Sequence, residues 1–306
     1  MQIRTFAASL TPALFLFVGC DRTPPQQQGS STQAVAPASA SPVPAADKSG
    51  TVRASGSSAL QPLVNAAKEK YEESHPGASI EVSAGGSKKG LADVASGAVH
   101  IGDSDIFAPE NLKAKLVDHR VAVVGFATMA NKGPFDEKVA GLSLEQLAKI
   151  FRGQVKNWKE VGGTDQAIVV INRAPASGTR AVFGSIVLGG DDFVESQTED
   201  NSGALVQKLK QTKGAISYLA LSFQDHELKT FALNADDKIV EPTSENITSG
   251  AYPIWSYEHM YTQGEASGPT QQFLSYILST DFQKNVLPTV KGFIPVVDMK
   301  VSRDKD

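Results

Sequence analysis

From residue 51 onward, short runs rich in β-branched and apolar residues alternate with segments whose apolar positions recur at helical spacing. Residues 51–54 predict a strand. The helix expected after it has Leu60, Leu63, Val64, Ala67 and Tyr71 on one face, a period of about 3.6 residues. Residues 79–84 read as a second strand, 90–97 as a short helix and 99–102 as a third strand. The longest apolar run, 119–130, predicts a long strand. Ser143 and Gln146 then form a capping-box pattern that opens a helix over 143–151. Further strands are expected at 167–173 and 214–221, and a helix at 179–188. A last helix at 269–280 should turn Phe273, Leu274, Ile277 and Leu278 inward.

Strands alternating with helices predict an α/β architecture with mainly parallel sheets. The stretch is long enough for two lobes of ordinary domain size, and nothing recurs at a fixed spacing, which argues against a solenoid. The first 19 residues stand apart. One arginine precedes an apolar run from Phe6 to Val18, too short for an ordinary transmembrane helix and shaped like an export signal. Cys20, the single cysteine, follows directly in a context resembling a bacterial lipobox, with Phe17 where leucine is usual. The alternative is a cleaved signal beside an incidental cysteine. Residues 20–50 hold Pro, Ala, Ser and Gln but few bulky apolar residues, so they predict a flexible tether after a lipidated Cys20. The expected location is the cell envelope, outside the cytoplasm.

Four loops at the ends of predicted strands share one design, rich in Gly, Ser or Thr: 55–60, 84–91, 101–106 and 172–180. In open α/β sheets ligands gather at such ends. Three of the loops lead into helices, whose first N–H groups and dipole favour an anion. Hydroxyls of Ser57, Ser58, Ser87, Ser104, Ser177 and Thr179 would add donors, and an arginine fork would add charge-assisted bonds. Any one of these serines also reads as a plain helix cap; four such loops together point to a site. The net charge of −4 leaves no broad basic face, so nucleic acid is not an expected partner.

Neither a Walker pattern nor G-x-G-x-x-G at a strand–helix junction occurs. A hydrolase would need a base or a metal beside its nucleophile. The histidines, at 75, 100, 119, 226 and 259, are scattered without metal-ligand spacing. Neither a catalytic residue nor a metal or cofactor is therefore expected. Asp105 is the oddity, because a carboxylate repels an anion unless the anion brings a proton to share. Hydrogen phosphate does so and sulfate at neutral pH does not. The alternative is that Asp103 or Asp105 pairs with an arginine or caps a turn.

Several stretches, in order, resemble the PstS-type phosphate-binding proteins of bacterial ABC importers. They are "SGSSALQPLVNAAKEKYEESHPG", "GGSKKGLADVASGAVHIGDSD", "IFRGQVKNWKEVGG", "VVINRAPASGTRAVF", "GAISYLAL" and "FLSYILSTDFQKNVLPTVKGFIPV". The resemblance runs from about residue 51 to 297, with Ala176 and Ser217 where glycine is common. It implies a type II periplasmic-binding-protein fold: two α/β lobes, each a mixed sheet flanked by helices, joined by crossing strands. The lobes would comprise residues 51–124 plus 248–306, and 125–247. Implied phosphate ligands are Ser57, Ser58, the N–H of Ala59, Ser87, Ser104, Asp105, Arg173, Ser177, Gly178, Thr179 and, by local charge, Arg180. The implied role is phosphate uptake by a monomeric receptor that partners ABC permease subunits and is tied to the membrane through its lipid. A receptor for sulfate or molybdate, a phosphate sensor without a transporter, and a phosphoester hydrolase are the alternatives.

Overall fold

The computed structural model describes residues 50–133, 139–235 and 238–304. The expected signal, Cys20 and all of the tether but Gly50 lie outside the described residues. The chain begins β1 (Thr51–Gly56), α1 (Gln61–Ser74), β2 (Ser79–Ala84), α2 (Ser87–Ala95), β3 (Ile101–Ser104), α3 (Glu110–Lys113) and β4 (Leu116–Asn131). It continues through β5 (Gly141–Leu142), α4 (Leu144–Phe151), β6 (Val169–Arg173), α5 (Gly178–Phe183), β7 (Gln197–Glu199), α6 (Ser202–Gln211) and β8 (Ala215–Ala220). The last part is β9 (Leu228–Thr230), β10 (Ala232–Ala235), β11 (Lys238–Val240), α7 (Ser244–Ser249), β12 (Trp255–Gln263), α8 (Gly268–Ile277) and β13 (Phe293–Ile294).

The periodicity of α1 is what folds it. Leu63, Val64, Ala67 and Tyr71 are buried along one stripe, and Leu60 is buried just ahead of the first turn. The capping box of α4 is formed on both sides: Gln146 N–H donates to Ser143 Oγ at 3.1 Å, and Ser143 N–H donates to Gln146 Oε1 at 2.9 Å. The expected helix over 179–188 starts one residue earlier as α5 and widens into a π-turn over Gly184–Leu188. Leu278 is not inward; it is 43% exposed. At about 100° per residue it lies roughly a quarter turn from the Phe273, Leu274 and Ile277 stripe, and α8 ends before it.

The main sheet has the order β2-β1-β3-β12-β4-β8-β6-β7, and a small sheet joins β11, β10 and β5. It is mixed, which corrects the expectation of mainly parallel pairing. β1 runs parallel to β2 and β3, and β6 runs parallel to β7 and β8. At the centre β12 is antiparallel to β3 and β4, and β4 is antiparallel to β8. Two of these three antiparallel pairings are made by β12, which the apolar pattern does not predict. It returns late in the chain and inserts between β3 and β4.

β4 is the long element common to both ends of this sheet. Its residues Leu116–Gly125 pair with β12, and Phe126–Ala130 pair with β8. From Val121 to Ala130 every side chain is buried, as a strand covered on both faces requires. Gly125 sits where the partner changes. A Cβ there would meet Leu221 Cδ1 at 2.8 Å and Ile247 Cδ1 more closely still. Ser217, on β8, is buried with its hydroxyl unpartnered among the described residues.

Candidate functional site

Four strand ends deliver polar loops to one place. After β1, Ser57 N–H donates to the Asp103 carbonyl at 2.9 Å, and Ser57 Oγ accepts from Ala59 N–H at 3.0 Å and Leu60 N–H at 3.2 Å. Ser57 thereby holds the turn that leads into α1, and its own O–H donates to Asp105 Oδ1. Past β2, Ser87 opens α2 and its Oγ accepts from Asp105 N–H at 2.9 Å. Past β6, Ser177 caps α5 by accepting from Arg180 N–H at 3.2 Å, and Thr179 Oγ1 donates to Asp105 Oδ2 at 2.8 Å.

Asp105 is thus the node at which loops from both ends of the sheet meet. Each of its carboxylate oxygens receives one hydroxyl, and its carbonyl accepts from Ser256 Oγ at 2.8 Å. The approach is close enough to demand glycine. A Cβ on Gly178 would lie 2.8 Å from Ser87 Cβ, 2.9 Å from Asp105 Cβ and nearer still to Ser87 Oγ. On the facing side, Gly86 has φ 85° and a Cβ there would stand 2.6 Å from the Ala176 carbonyl. That carbonyl accepts from Lys88 N–H at 3.1 Å.

Arg173 supplies the buried positive charge, 1% exposed at the end of β6. Its Nη2 donates to Ser58 Oγ at 3.1 Å and its Nη1 to Ser202 Oγ at 3.3 Å. Longer bonds reach the carbonyls of Glu199 and Asp200, both at 3.4 Å. Burial lowers the guanidinium's pKa, while the Asp105 carboxylate pulls it back up. Among the described residues no carboxylate forms an ion pair with it. Tyr218, pushed above its ordinary value by burial, stays protonated and accepts from Arg173 N–H at 3.3 Å. A buried guanidinium without a direct counter-ion is a ready partner for an oxyanion.

Three expected ligand groups are engaged elsewhere. Ser104 Oγ donates to the Ile106 carbonyl at 2.7 Å and accepts from Ile106 N–H at 3.1 Å, which holds its own turn. Arg180 points away, donating to Asp191 at 2.8 Å and to the Arg173 carbonyl at 3.1 Å, with its guanidinium 4.3 Å from the Phe193 ring centre. It braces the loop. The Ala59 N–H is taken by Ser57 Oγ.

Ser202 and Glu258 escaped the sequence reading, and Asp103 entered it only as an alternative that pairs with an arginine or caps a turn. Ser202, fully buried at the first position of α6, has its Oγ 3.1 Å from Ser58 Oγ, and its N–H donates to Ser58 Oγ at 3.2 Å. Its signal was Asn-Ser-Gly at a helix start, the same design as the other loops, but the preceding strand β7 is only Gln-Thr-Glu. Asp103 and Glu258 are buried carboxyls whose four oxygens accept from no N–H or hydroxyl among the described residues, while the Glu258 carboxyl lies within hydrogen-bonding reach of the Asp105 side chain. Burial drives both well above ordinary carboxylate values, and neighbouring carboxylates, Asp105 among them, add to the rise.

The hydroxyls of Ser57, Ser58, Ser87, Ser177 and Thr179 bond to none of the histidines. His100 Nδ1 accepts the Arg53 N–H at 2.9 Å, and His259 Nδ1 lies 2.7 Å from Asp118. Among the described residues no group of three or more His, Cys, Asp or Glu is arranged to hold a metal ion, and no helix is long and apolar enough to cross a membrane.

A mixed α/β sheet traversed by one long strand, with polar loops from both ends converging on a buried carboxylate and guanidinium, is the build of a type II periplasmic binding protein. A family model for the PBP superfamily domain matches residues 41–281. Over 259 residues, 84% of each chain, the sequence is 50% identical to the phosphate-binding protein PstS of Bacillus subtilis. It is 27% identical over 221 residues to the phosphate-binding protein PstS of Staphylococcus haemolyticus, covering 68% of this chain and 69% of that one. The crystal structure of a putative phosphate ABC transporter substrate-binding protein with bound phosphate from Clostridium perfringens superposes with a TM-score of 0.74. The identity there is 30%, over 80% of this chain and 99% of that one. An ABC-type phosphate transport receptor from Vibrio cholerae gives 0.63 at 25% identity, over 79% and 99%. The chain belongs to the PBP superfamily and, within it, to the PstS family.

Proposed function

We propose that this protein binds inorganic phosphate in a cleft between two lobes, residues 51–124 plus 248–306 and residues 125–247, and delivers it to a membrane ABC importer. The observation that carries the reading is Asp105, held by hydroxyls from both sides in a site whose buried cation is Arg173. An acceptor carboxylate beside a guanidinium suits an anion that presents both negative oxygens and a proton. Hydroxyls of Ser57, Ser58, Ser87, Ser177, Thr179 and Ser202 supply neutral donors, and the first turns of α1, α2 and α5 supply oriented N–H groups. Asp105, Ser87 and Gly178 would meet around the ion, so phosphate favours the closed lobes by its differential affinity. The names of the relatives support the same ligand and the same role.

The protein turns nothing over, a reading supported by relatives named for phosphate binding and transport. Permease subunits are its protein partners, and a lipidated Cys20 ties it to the envelope. Titrating phosphate-free protein with inorganic phosphate in a calorimeter tests the reading. One ion per chain is expected, with a melting temperature that rises by mass action; about 2.7 kcal/mol of stabilisation accompanies a hundredfold excess over Kd. No heat and no shift at saturating phosphate would overturn it.

A further inference from the structure

Behind Asp105 lie two acids that the binding reading leaves unused. Asp103 and Glu258 are 1% and 0% exposed and cluster with Asp105, which alone of the three acts on the buried Arg173 guanidinium. A buried carboxylate needs donors or a counter-charge. Asp105 has them: the hydroxyls of Ser57 and Thr179 and the nearby Arg173. The oxygens of Asp103 and Glu258 receive no hydrogen bond among the described residues. One cation and two hydroxyl donors suit one ionised acid.

Glu258 sits on the face of β12 that abuts Asp105, because Ser256, two residues earlier on the same strand, donates to the Asp105 carbonyl at 2.8 Å. The groups that act on Glu258 are Asp105 and Asp103 from the β3 side. On β4 its register partner is Ala122. His259, its chain neighbour, turns to Asp118, next to Arg120 on β4. Among the described residues no cation acts on Glu258.

We propose that Glu258 is a protonated acid at neutral pH and a positioning residue for the ligand: a neutral donor behind Asp105 that leaves Asp105 as the single charged acceptor in the site. This rests on the phosphate reading. Held this way, the Asp105 carboxylate keeps its lone pairs for a proton that the ligand brings. Were Glu258 ionised, a second negative charge would face the incoming anion.

Phosphate titrations and thermal melts of the wild type, Glu258→Leu and Glu258→Gln across acid to alkaline pH test it. Leucine should weaken phosphate binding about tenfold at neutral pH, the loss of a hydrogen bond to a charged acceptor, and glutamine should restore it to within about threefold. The melts carry a sign of their own. Above pH ~4.3 an unfolded glutamate releases its proton while the folded one keeps it, so wild-type stability falls as pH rises. The melting advantage of Glu258→Gln over the wild type should therefore be absent in acid and grow toward neutral pH. Glutamine weakening binding as much as leucine, or a melting gap that does not change with pH, would overturn the proposal. A wild type that binds no phosphate would remove the phosphate reading and the positioning role with it, and the melts would still decide the protonation of Glu258. Should the variants not fold, infrared spectra of the wild type at neutral pH decide: a protonated-carboxyl stretch is expected, and its absence would refute the inference.

Discussion

Arg173→Ala should lower phosphate affinity by about 2–5 kcal/mol, roughly 30- to 5,000-fold, the range for truncating one member of a buried, hydrogen-bonded charge pair. The effect is large because nothing nearby can replace the guanidinium. Arg180 is turned to Asp191 and Phe193, and Lys88 is an exposed residue whose backbone N–H bonds to the facing loop. The loss falls on the ligand more than on the fold, since the bonds Arg173 makes within the protein go to neutral oxygens of Ser58, Ser202, Glu199 and Asp200. Lysine at this position should recover only part of the loss, because an ammonium cannot span Ser58 and Ser202 as the fork does. Calorimetric titration with a melting curve of each phosphate-free variant separates the two effects. Undiminished affinity in a folded Arg173→Ala protein would place the anion elsewhere.

A single methyl group should do nearly as much from the other direction. In Gly178→Ala the new Cβ would stand 2.8 Å from Ser87 Cβ and 2.9 Å from Asp105 Cβ, both in the first part of the chain. The neighbours are the root of a side chain on α2 and the node residue itself, so neither yields as a flexible tip would. Room comes only by moving α5 away, which stretches the 2.8 Å bond from Thr179 to Asp105. Overpacking of this kind costs about 1–3 kcal/mol, which predicts a phosphate affinity roughly 5- to 200-fold weaker. It also predicts that saturating phosphate compacts the variant less than the wild type in small-angle X-ray scattering. Equal affinity and equal compaction would mean that the loops need not touch to hold the ion.

The parts of this molecule that were legible in its sequence are those that short-range physics controls. The stripe of α1, the capping box of α4 and the apolar run of β4 each state their structure within a few turns or residues. The loops at 55–60, 84–91 and 172–180 declared themselves by repeating one chemistry at the ends of strands. Asp105 stood out because a carboxylate in such company needs a reason.

What the sequence concealed depends on contacts between distant residues. β12 carries Ser256, Glu258 and His259 among its buried residues, so its polar letters read as surface. Only the neighbouring strands, and the acids beside it, explain how they are tolerated. The antiparallel centre follows from where β12 inserts and from the reversed pairing of β4 with β8, neither of which local periodicity encodes. Arg173 and Arg180 flank the same Ser-Gly-Thr, yet only the turn of α5 sends one into the site and the other to Asp191. Ser202 needed the three-residue strand before it to be recognised as a strand at all.

The central claim is that Asp105 reads a proton on the anion. Competition titrations of phosphate against sulfate, in the wild type and in Asp105→Asn, test it most directly. In the wild type, sulfate should fail to displace phosphate, because it would set a protonless oxygen against the Asp105 carboxylate. In Asp105→Asn that repulsion is gone, phosphate should bind more weakly and the preference over sulfate should narrow. Sulfate displacing phosphate from the wild type, or a preference left untouched by Asp105→Asn, would contradict the account.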